Sequence, residues 1–396
     1  MDRRHFLRLG LAAAGAPMFG TINGVSWAAP APDAATVEAG AYRNLLILVE
    51  LKGANDGLNT VIPYNNPLYA QLRPRLAIAR DQVLPLSENE ALHPALKPLM
   101  VLWQDQQMAV VQGVGYPRPN LSHFRSIEIW DTASKSEEYL EAGWLARAFA
   151  AMPTPRHFAA DGVVVGSNDM GPLSGPNVRT IALADTRQFL QQARLAQVHA
   201  DGRNSALRHI LSVEGEIVHA ASKLNGNYAF RTEFPKNGFG NQVRTAAQLA
   251  ASNAGMAVIR LTLSGFDTHA NQLGTQANLL RDFADGAGAL KSALLELNRW
   301  DSTTVMTYAE FGRRPRENQS GGTDHGTVNA HFLMGGKVRG GLYGQAPQLD
   351  RLDGNGNLAY AVDFRNLYAT VIDRWWGGNS TAVLGGRFDA LDLLKA

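Results

Sequence analysis

Apolar positions cluster in short continuous runs, each closed by polar, turn-forming residues. Asn44 to Val49 (NLLILV) is the first, and it ends in Lys52-Gly53-Ala54-Asn55-Asp56-Gly57, so the pattern predicts a buried strand that delivers a carboxylate, Asp56, at its carboxyl end. Met108 to Val114 predicts a second buried strand, preceded by a helix-like segment from Pro94 to Gln104. The loop Gly115 to Leu121 then leads to Ser122 and a helical pattern over His123 to Thr132. Met256 to Leu263 predicts another strand, ending in Ser264-Gly265-Phe266-Asp267-Thr268-His269. After it Leu280, Phe283, Ala287, Leu290, Leu294 and Leu297 recur at three- and four-residue steps, the stripe of a helix packed on a sheet. Thr303 to Tyr308 is a further strand, leading into the polar stretch Glu310 to His325. Strands alternating with helices, without internal repeat, predict an α/β fold: a mostly parallel sheet with helices on both faces.

The two ends of this pattern set expectations for domain organisation. Arg3-Arg4-His5-Phe6-Leu7-Arg8, an apolar stretch from Leu9 to about Phe19 and the small-residue exit Ser26-Trp27-Ala28 have the form of a twin-arginine export signal over residues 1–28. Leu9 to Phe19 is shorter than the ~20 apolar residues that span a bilayer, so no stable membrane anchor is expected after cleavage. Residues 29–42 read as a small-residue linker and 43–396 as one large domain, with a cap or insertion near 161–241 that includes a helical stretch at Ala206 to Leu224. A periplasmic or secreted location follows, with the twin-arginine export machinery as a partner.

Composition narrows the chemistry. Loss of residues 1–28 removes three Arg and one Asp from 37 basic and 35 acidic side chains, leaving formal neutrality, and no basic stripe points to nucleic acid. The chain has no cysteine, so disulfides and thiolate metal sites are excluded and any metal is held by Asp, Glu, His or hydroxyl groups.

The chemistry-bearing residues share one position: Asp56, Ser122, Asp267 with His269, and Glu310 each follow a predicted strand, the edge where open α/β sheets bind ligands. Asp267-x-His269 suits a divalent ion, or Asp267 is simply a helix cap. Asp324-His325, in the glycine-rich run Gly321 to Gly326, is a second acid–imidazole pair or a surface turn. Ser122 is a helix N-cap or a nucleophile facing helix amides, and Asp56 a turn residue or a ligand. Arg313 and Arg314, with Arg316 beyond them, hold an oxyanionic substrate or lie in a solvated loop. His331 and Asn329 are weaker candidates, and His93, His157, His199, His209 and His219 read as structural or surface residues.

Tyr308 to Arg314 (YAEFGRR), Glu317 to Gly326 (ENQSGGTDHG), Lys52 to Pro63 (KGANDGLNTVIP), Ser122-His123-Phe124, Gly143-Trp144-Leu145, Gly265 to Gln272 (GFDTHANQ) and Asp363-Phe364-Arg365 together resemble the bacterial family of unknown function numbered 1501. That family is similar in fold to alkaline phosphatases, sulfatases and cofactor-independent phosphoglycerate mutases. The resemblance implies Asp56 as first metal ligand, Ser122 as nucleophile, and Asp267 with His269 as one metal's pair. It also implies Glu310 at the next acidic ligand position, with His325 or Asp324 completing the site. Two departures stand out: Phe311 occupies a position where the superfamily has a ligand His, and Asp267-x-His269 is tighter than the usual Asp-x-x-x-His. The implied activity is metal-dependent hydrolysis of phosphate or sulfate esters, with Zn²⁺ or else Mn²⁺, Mg²⁺ or Ca²⁺ as cofactor and a small-molecule or glycan ester as substrate. The competing reading is an exported metal- or glycan-binding protein on a degenerate hydrolase scaffold.

Overall fold

In the computed structural model the described residues are 20–22, 25–27, 42–183, 228–252 and 254–395. The main sheet is built from β1 (Gly20–Ile22), β2 (Val25–Trp27), β3 (Leu45–Lys52), β4 (Met108–Gly115), β5 (Gly162–Val165), β6 (Thr180–Leu183), β7 (Val258–Ser264) and β8 (Thr303–Tyr308). The polar stretch after β8 forms a separate hairpin, β9 (Gly312–Glu317) with β10 (Thr323–Gly326), and the main sheet resumes in β11 (Asn329–Met334), β12 (Gly341–Gly344) and β13 (Val362–Asp363). Strand order across the sheet is β1-β2-β6-β5-β7-β3-β8-β11-β4-β12, with β13 also pairing β4. The neighbours from β6 to β8 run parallel, β4 keeps the same direction across antiparallel β11, and β12 and β13 are parallel to β4.

Strand period divides the core. Leu45, Ile47, Val49 and Leu51 of β3 pack in one hydrophobic layer with Val243 and Leu249 of α3 (Gly238–Ala251) and with Leu280, Phe283, Leu290 and Leu294 of α4 (Gln272–Glu296). Leu46 and Leu48 point the other way, onto Ile129 and Trp130 of α1 (His123–Thr132), Trp144, Leu145 and Phe149 of α2 (Trp144–Ala151), and Leu367 and Tyr368 of α5 (Phe364–Ala369). Helices therefore cover both faces, which is why the central strands read as continuous apolar runs with no alternation. Glu50, the residue of β3 directly after the first run, is fully buried beneath the second layer: its Oε2 accepts from Arg260 Nη2 at 2.8 Å and from the Thr262 hydroxyl at 3.0 Å, and Arg260 Nε donates to Tyr308 Oη at 2.7 Å.

Two segments singled out in the sequence take part in the main sheet. The region expected to be a cap near 161–241 contributes β5 and β6 to the main sheet and α3 to its covering layer. Short runs such as Gly162-Val-Val-Val165 carry too little periodicity to reveal membership of a large sheet. The helical stretch expected at 206–224 lies outside the described residues. The segment read as an export signal includes β1 and β2, an antiparallel hairpin paired to β6 through Ser26 and Ala182. A strand edge offers open N–H and C=O groups, which an extended segment of any function satisfies. Among the described residues no helix is long and apolar enough to cross a membrane.

All three central turns lie at the carboxyl ends of β3, β7 and β8. Gly53, after β3, has φ +107°, and a Cβ there would meet the Asp267 nitrogen at 2.5 Å, so the first and second turns touch through bare backbone. Gly322 is the same device on the hairpin: its Cβ would stand 2.2 Å from the His269 carbonyl carbon.

The core also holds imidazoles that burial keeps neutral near pH 7. Burial pulls the His331 pKa down to about 3; burial, with the nearby Arg281 charge, pulls His93 to about 4. In the unfolded chain both titrate near ~6.5. The unfolded state thus binds more protons below that value, so their contribution to stability is complete above about pH 6.5 and is lost as pH falls through the folded-state values. The unfolding temperature is expected to drop between pH 7.5 and 5, with a shallower drop in His331→Gln, as followed by circular dichroism.

Candidate metal centre

Three segments meet beyond the strand ends: the start of α1, the turn after β7 and the β9–β10 hairpin. His123 Nε2 lies 3.1 Å from His325 Nε2 and 3.4 Å from Asp267 Oδ2, while His325 Nε2 lies 3.3 Å from Asp267 Oδ1. His269 joins from the side, with its Nε2 3.0 Å from His325 Nε2 and 2.9 Å from Asp267 Oδ1. The cluster is half-buried, with side-chain exposures of 30% for His123, 23% for His325 and 45% for Asp267.

Protonation follows from the partners. His325 Nδ1 lies 2.8 Å from the Leu121 carbonyl, an acceptor only, so Nδ1 carries the hydrogen and Nε2 of the neutral ring presents a lone pair. His123 Nδ1 lies 2.7 Å from Glu310 Oε1, which also accepts from the Gly53 N–H at 2.9 Å, so its Nε2 likewise presents a lone pair when the ring is neutral. Two lone pairs facing each other at 3.1 Å repel unless a proton or a cation sits between them. Asp267 is ionised: burial opposes its charge, but the hydrogen bond and charge of Arg313, with His123 and His269, hold its pKa at about 2. The hydrogen bond to Glu310 raises the His123 pKa against burial, whereas burial lowers that of His325.

The donor set fits a divalent ion. His123, Asp267 and His325 each offer one ligand atom, all within 4.8 Å of one another. The edge of a tetrahedron with bonds of about 2.0–2.1 Å is about 3.3 Å, close to the spacing found, and imidazole with carboxylate suits zinc above other common ions.

The structure sorts the residues singled out in the sequence. Asp267, His269 and His325 lie together, with their facing atoms 2.9–3.3 Å apart. Asp56 does not join them: it is fully buried, its Oδ2 2.5 Å from Arg73 Nη1 and its Oδ1 3.0 Å from Arg73 Nη2. It also caps the helical turn Gly57–Thr60 and accepts from Gln272, so no lone pair is left to face an ion. Glu310 stands behind His123 and does not contact the ring nitrogens that face the cluster. Asp324 lies at the rim, 3.9 Å from both His269 Nδ1 and Arg314 Nη1.

Arg313 is not free to hold a substrate. It is buried and donates to Ala54 O (2.8 Å), Thr323 O (3.1 Å), Phe266 O (3.1 Å), Gly53 O (2.5 Å) and Asp267 Oδ1 (2.6 Å). Arg314 is partly exposed, with a buried Nε that has no partner. Ser122 is exposed, and its side chain makes no cap hydrogen bond at the start of α1. His331 and Asn329 belong to the core: His331 packs edge-on to Trp130 at 5.2 Å, and Asn329 Nδ2 donates to Phe311 O. Phe311 itself lies buried against His123 and His325, ring centroids 4.9 and 4.7 Å away. His123 has no acidic companion beside it in sequence, and its partners Asp267, Glu310 and His325 come from distant segments, although it too follows a loop from a buried strand.

Fold and site together define an α/β protein with an imidazole–carboxylate cluster at the carboxyl edge of a mostly parallel sheet. The chain belongs to the family described as protein of unknown function (DUF1501), whose sequence profile matches residues 94–383. No curated protein matches it significantly. Solved structures similar to it include the zinc complex of the C-terminal periplasmic domain of EcEptC from Escherichia coli, 9% identical over 75% of this chain and 74% of that one, with a TM-score of 0.39. Alkaline phosphatase from the Antarctic bacterium TAB5 is 12% identical over 75% of this chain and 92% of its own, with a TM-score of 0.36. The lipoteichoic acid synthase LtaP from Listeria monocytogenes is 10% identical over 77% and 67%, with a TM-score of 0.34.

Elemental analysis of purified variants checks the site assignment. His123→Ala and His325→Ala are each expected to lose bound zinc. Asp56→Ala is expected to keep zinc stoichiometry but lose about 3–5 kcal/mol of stability, because Arg73 is left buried without its counter-charge.

Proposed function

We propose that this protein is an exported metal-dependent hydrolase of phosphate or sulfate esters, with its divalent ion, zinc by donor chemistry, held by His123, Asp267 and His325. The observation that carries the reading is the meeting of two imidazole nitrogens and an ionised carboxylate at 3.1–3.4 Å, a donor set and spacing that fit a divalent cation. A bound ion supplies Lewis acidity to the reacting ester.

The chain's own residues supply the rest. Ser122 offers an uncommitted, exposed hydroxyl as nucleophile, next in sequence to His123 and at the amino end of a ten-residue helix whose free N–H groups favour developing negative charge. Arg314 offers a positive charge at the rim for a phosphoryl or sulfuryl oxygen, the role that Arg313, with its donors already taken up, leaves open. Asp324 and His269 border the same opening, where a small-molecule or glycan ester would enter.

The expected result is turnover of aryl phosphate or aryl sulfate by the mature protein with Zn²⁺, Mn²⁺, Mg²⁺ or Ca²⁺. Ser122→Ala is expected to lose about 10³-fold or more in kcat while retaining metal. Absence of turnover with every ion, or full turnover by Ser122→Ala, would overturn the reading. Absence of turnover would favour an exported metal- or glycan-binding protein instead, a reading supported by Phe311, buried against His123 where the family resemblance implies a ligand His.

Export by the twin-arginine route to the periplasm is part of the same proposal, supported by Arg3-Arg4 and the apolar stretch after them. Replacing both arginines with lysine is expected to hold the protein in the cytoplasm on cell fractionation, and unchanged export would refute the route.

A further inference from the structure

Glu310 occupies a position where family resemblance implies a direct ligand, yet its contacts are of another kind. Oε1 accepts from His123 Nδ1 at 2.7 Å and from the Gly53 N–H at 2.9 Å, and the side chain is 3% exposed. Around it the backbone is pinned: the Ser126 hydroxyl of α1 donates to the Glu310 carbonyl, and Gly53 sits at its positive φ against the Asp267 backbone. The His123 ring is further flanked by Phe311, so rotation about its side-chain bonds is blocked on that side. His325 is held in a parallel way, through Nδ1 on the Leu121 carbonyl, one residue before the serine that precedes His123.

We infer that Glu310 is a positioning residue: an outer carboxylate that fixes the tautomer and orientation of His123 so that Nε2 faces the ion, and not itself a ligand. A carboxylate behind a ligating imidazole raises the basicity of the ring and restricts its rotation, and loss of such a partner typically costs about 10–100-fold in metal affinity. Because the same oxygen grips Gly53, Glu310 couples the turn after β3 to the amino end of α1. The centre thus draws its rigidity from a strand that contributes no ligand of its own.

This inference rests on the metal-centre reading, and one titration separates the two. Zn²⁺ affinity is measured by chelator competition in the wild type, Glu310→Gln and Glu310→Ala, with Co²⁺ absorption spectra to report the ligand set and thermal unfolding to report folding. Wild-type protein that binds no Zn²⁺ overturns both readings. With binding established, Glu310→Ala is expected to weaken Zn²⁺ by about 10–100-fold, and Glu310→Gln, whose amide oxygen still accepts from Nδ1, by less. One-ion stoichiometry and the Co²⁺ spectrum are expected to persist in both. A Co²⁺ spectrum altered in Glu310→Gln to that of a site missing one ligand would make Glu310 a direct ligand and overturn the inference alone. Unchanged Zn²⁺ affinity in folded Glu310→Ala would do the same.

Discussion

One buried guanidinium organises the site. Arg313 donates to the carbonyls of Gly53 and Ala54 after β3, of Phe266 after β7 and of Thr323 in the hairpin, and it also holds Asp267. Turns at strand ends expose carbonyls that no ladder satisfies, and a planar five-donor fork can serve several of them at once. A lysine, with three donors on a flexible stem, reproduces neither the geometry nor the number of contacts. The same cation keeps Asp267 ionised despite partial burial, so the group that ties the scaffold together also sets the charge of the central carboxylate.

Around that tie, polar residues divide into those that face the cluster and those that support it. Arg73 pairs with Asp56 and reaches the carbonyls of Arg314 and Pro315, while Arg75 grips Glu317 and the carbonyls of Asn318 and Gln319. Both arginines come from the segment after β3, and both hold the hairpin that presents Asp324 and His325. Removing one member of the fully buried Arg73–Asp56 pair is costly because the other charge remains without solvent, whereas half-exposed Arg75 is replaceable at smaller cost. Positions rich in acid and base along the chain are thus mostly framework, and the half-buried cluster is made of three imidazoles and one carboxylate.

The imidazoles owe their arrangement to what lies behind them. Neutral histidine has one donor and one acceptor nitrogen, and a partner at Nδ1 decides which atom faces forward. The Leu121 carbonyl makes this choice for His325 and the Glu310 carboxylate for His123, while Phe311 supports both rings from beneath.

Much of this was legible in the chain. The apolar runs at 44–49, 108–114, 256–263 and 303–308 identify central strands because burial on both faces leaves no room for alternation, and the heptad-like stripe from Leu280 to Leu294 marks α4. The polar clusters closing those runs locate the edge where the imidazole–carboxylate cluster forms, since parallel strands deliver their following loops to one side. What sequence could not decide was which polar residue looks into the site. Asp56 and Asp267 follow strands in the same way, yet one is saturated by an arginine 17 positions on and the other meets histidines from two distant segments. Glu50 directly follows an apolar run and its burial is not announced there, because its partner, Arg260, lies 210 residues away on the adjacent strand. Strand and helix formation depend on neighbours a few residues apart, which a linear pattern records. The role of a polar side chain depends on which charges the folded sheet brings beside it, and only the tertiary structure makes that choice.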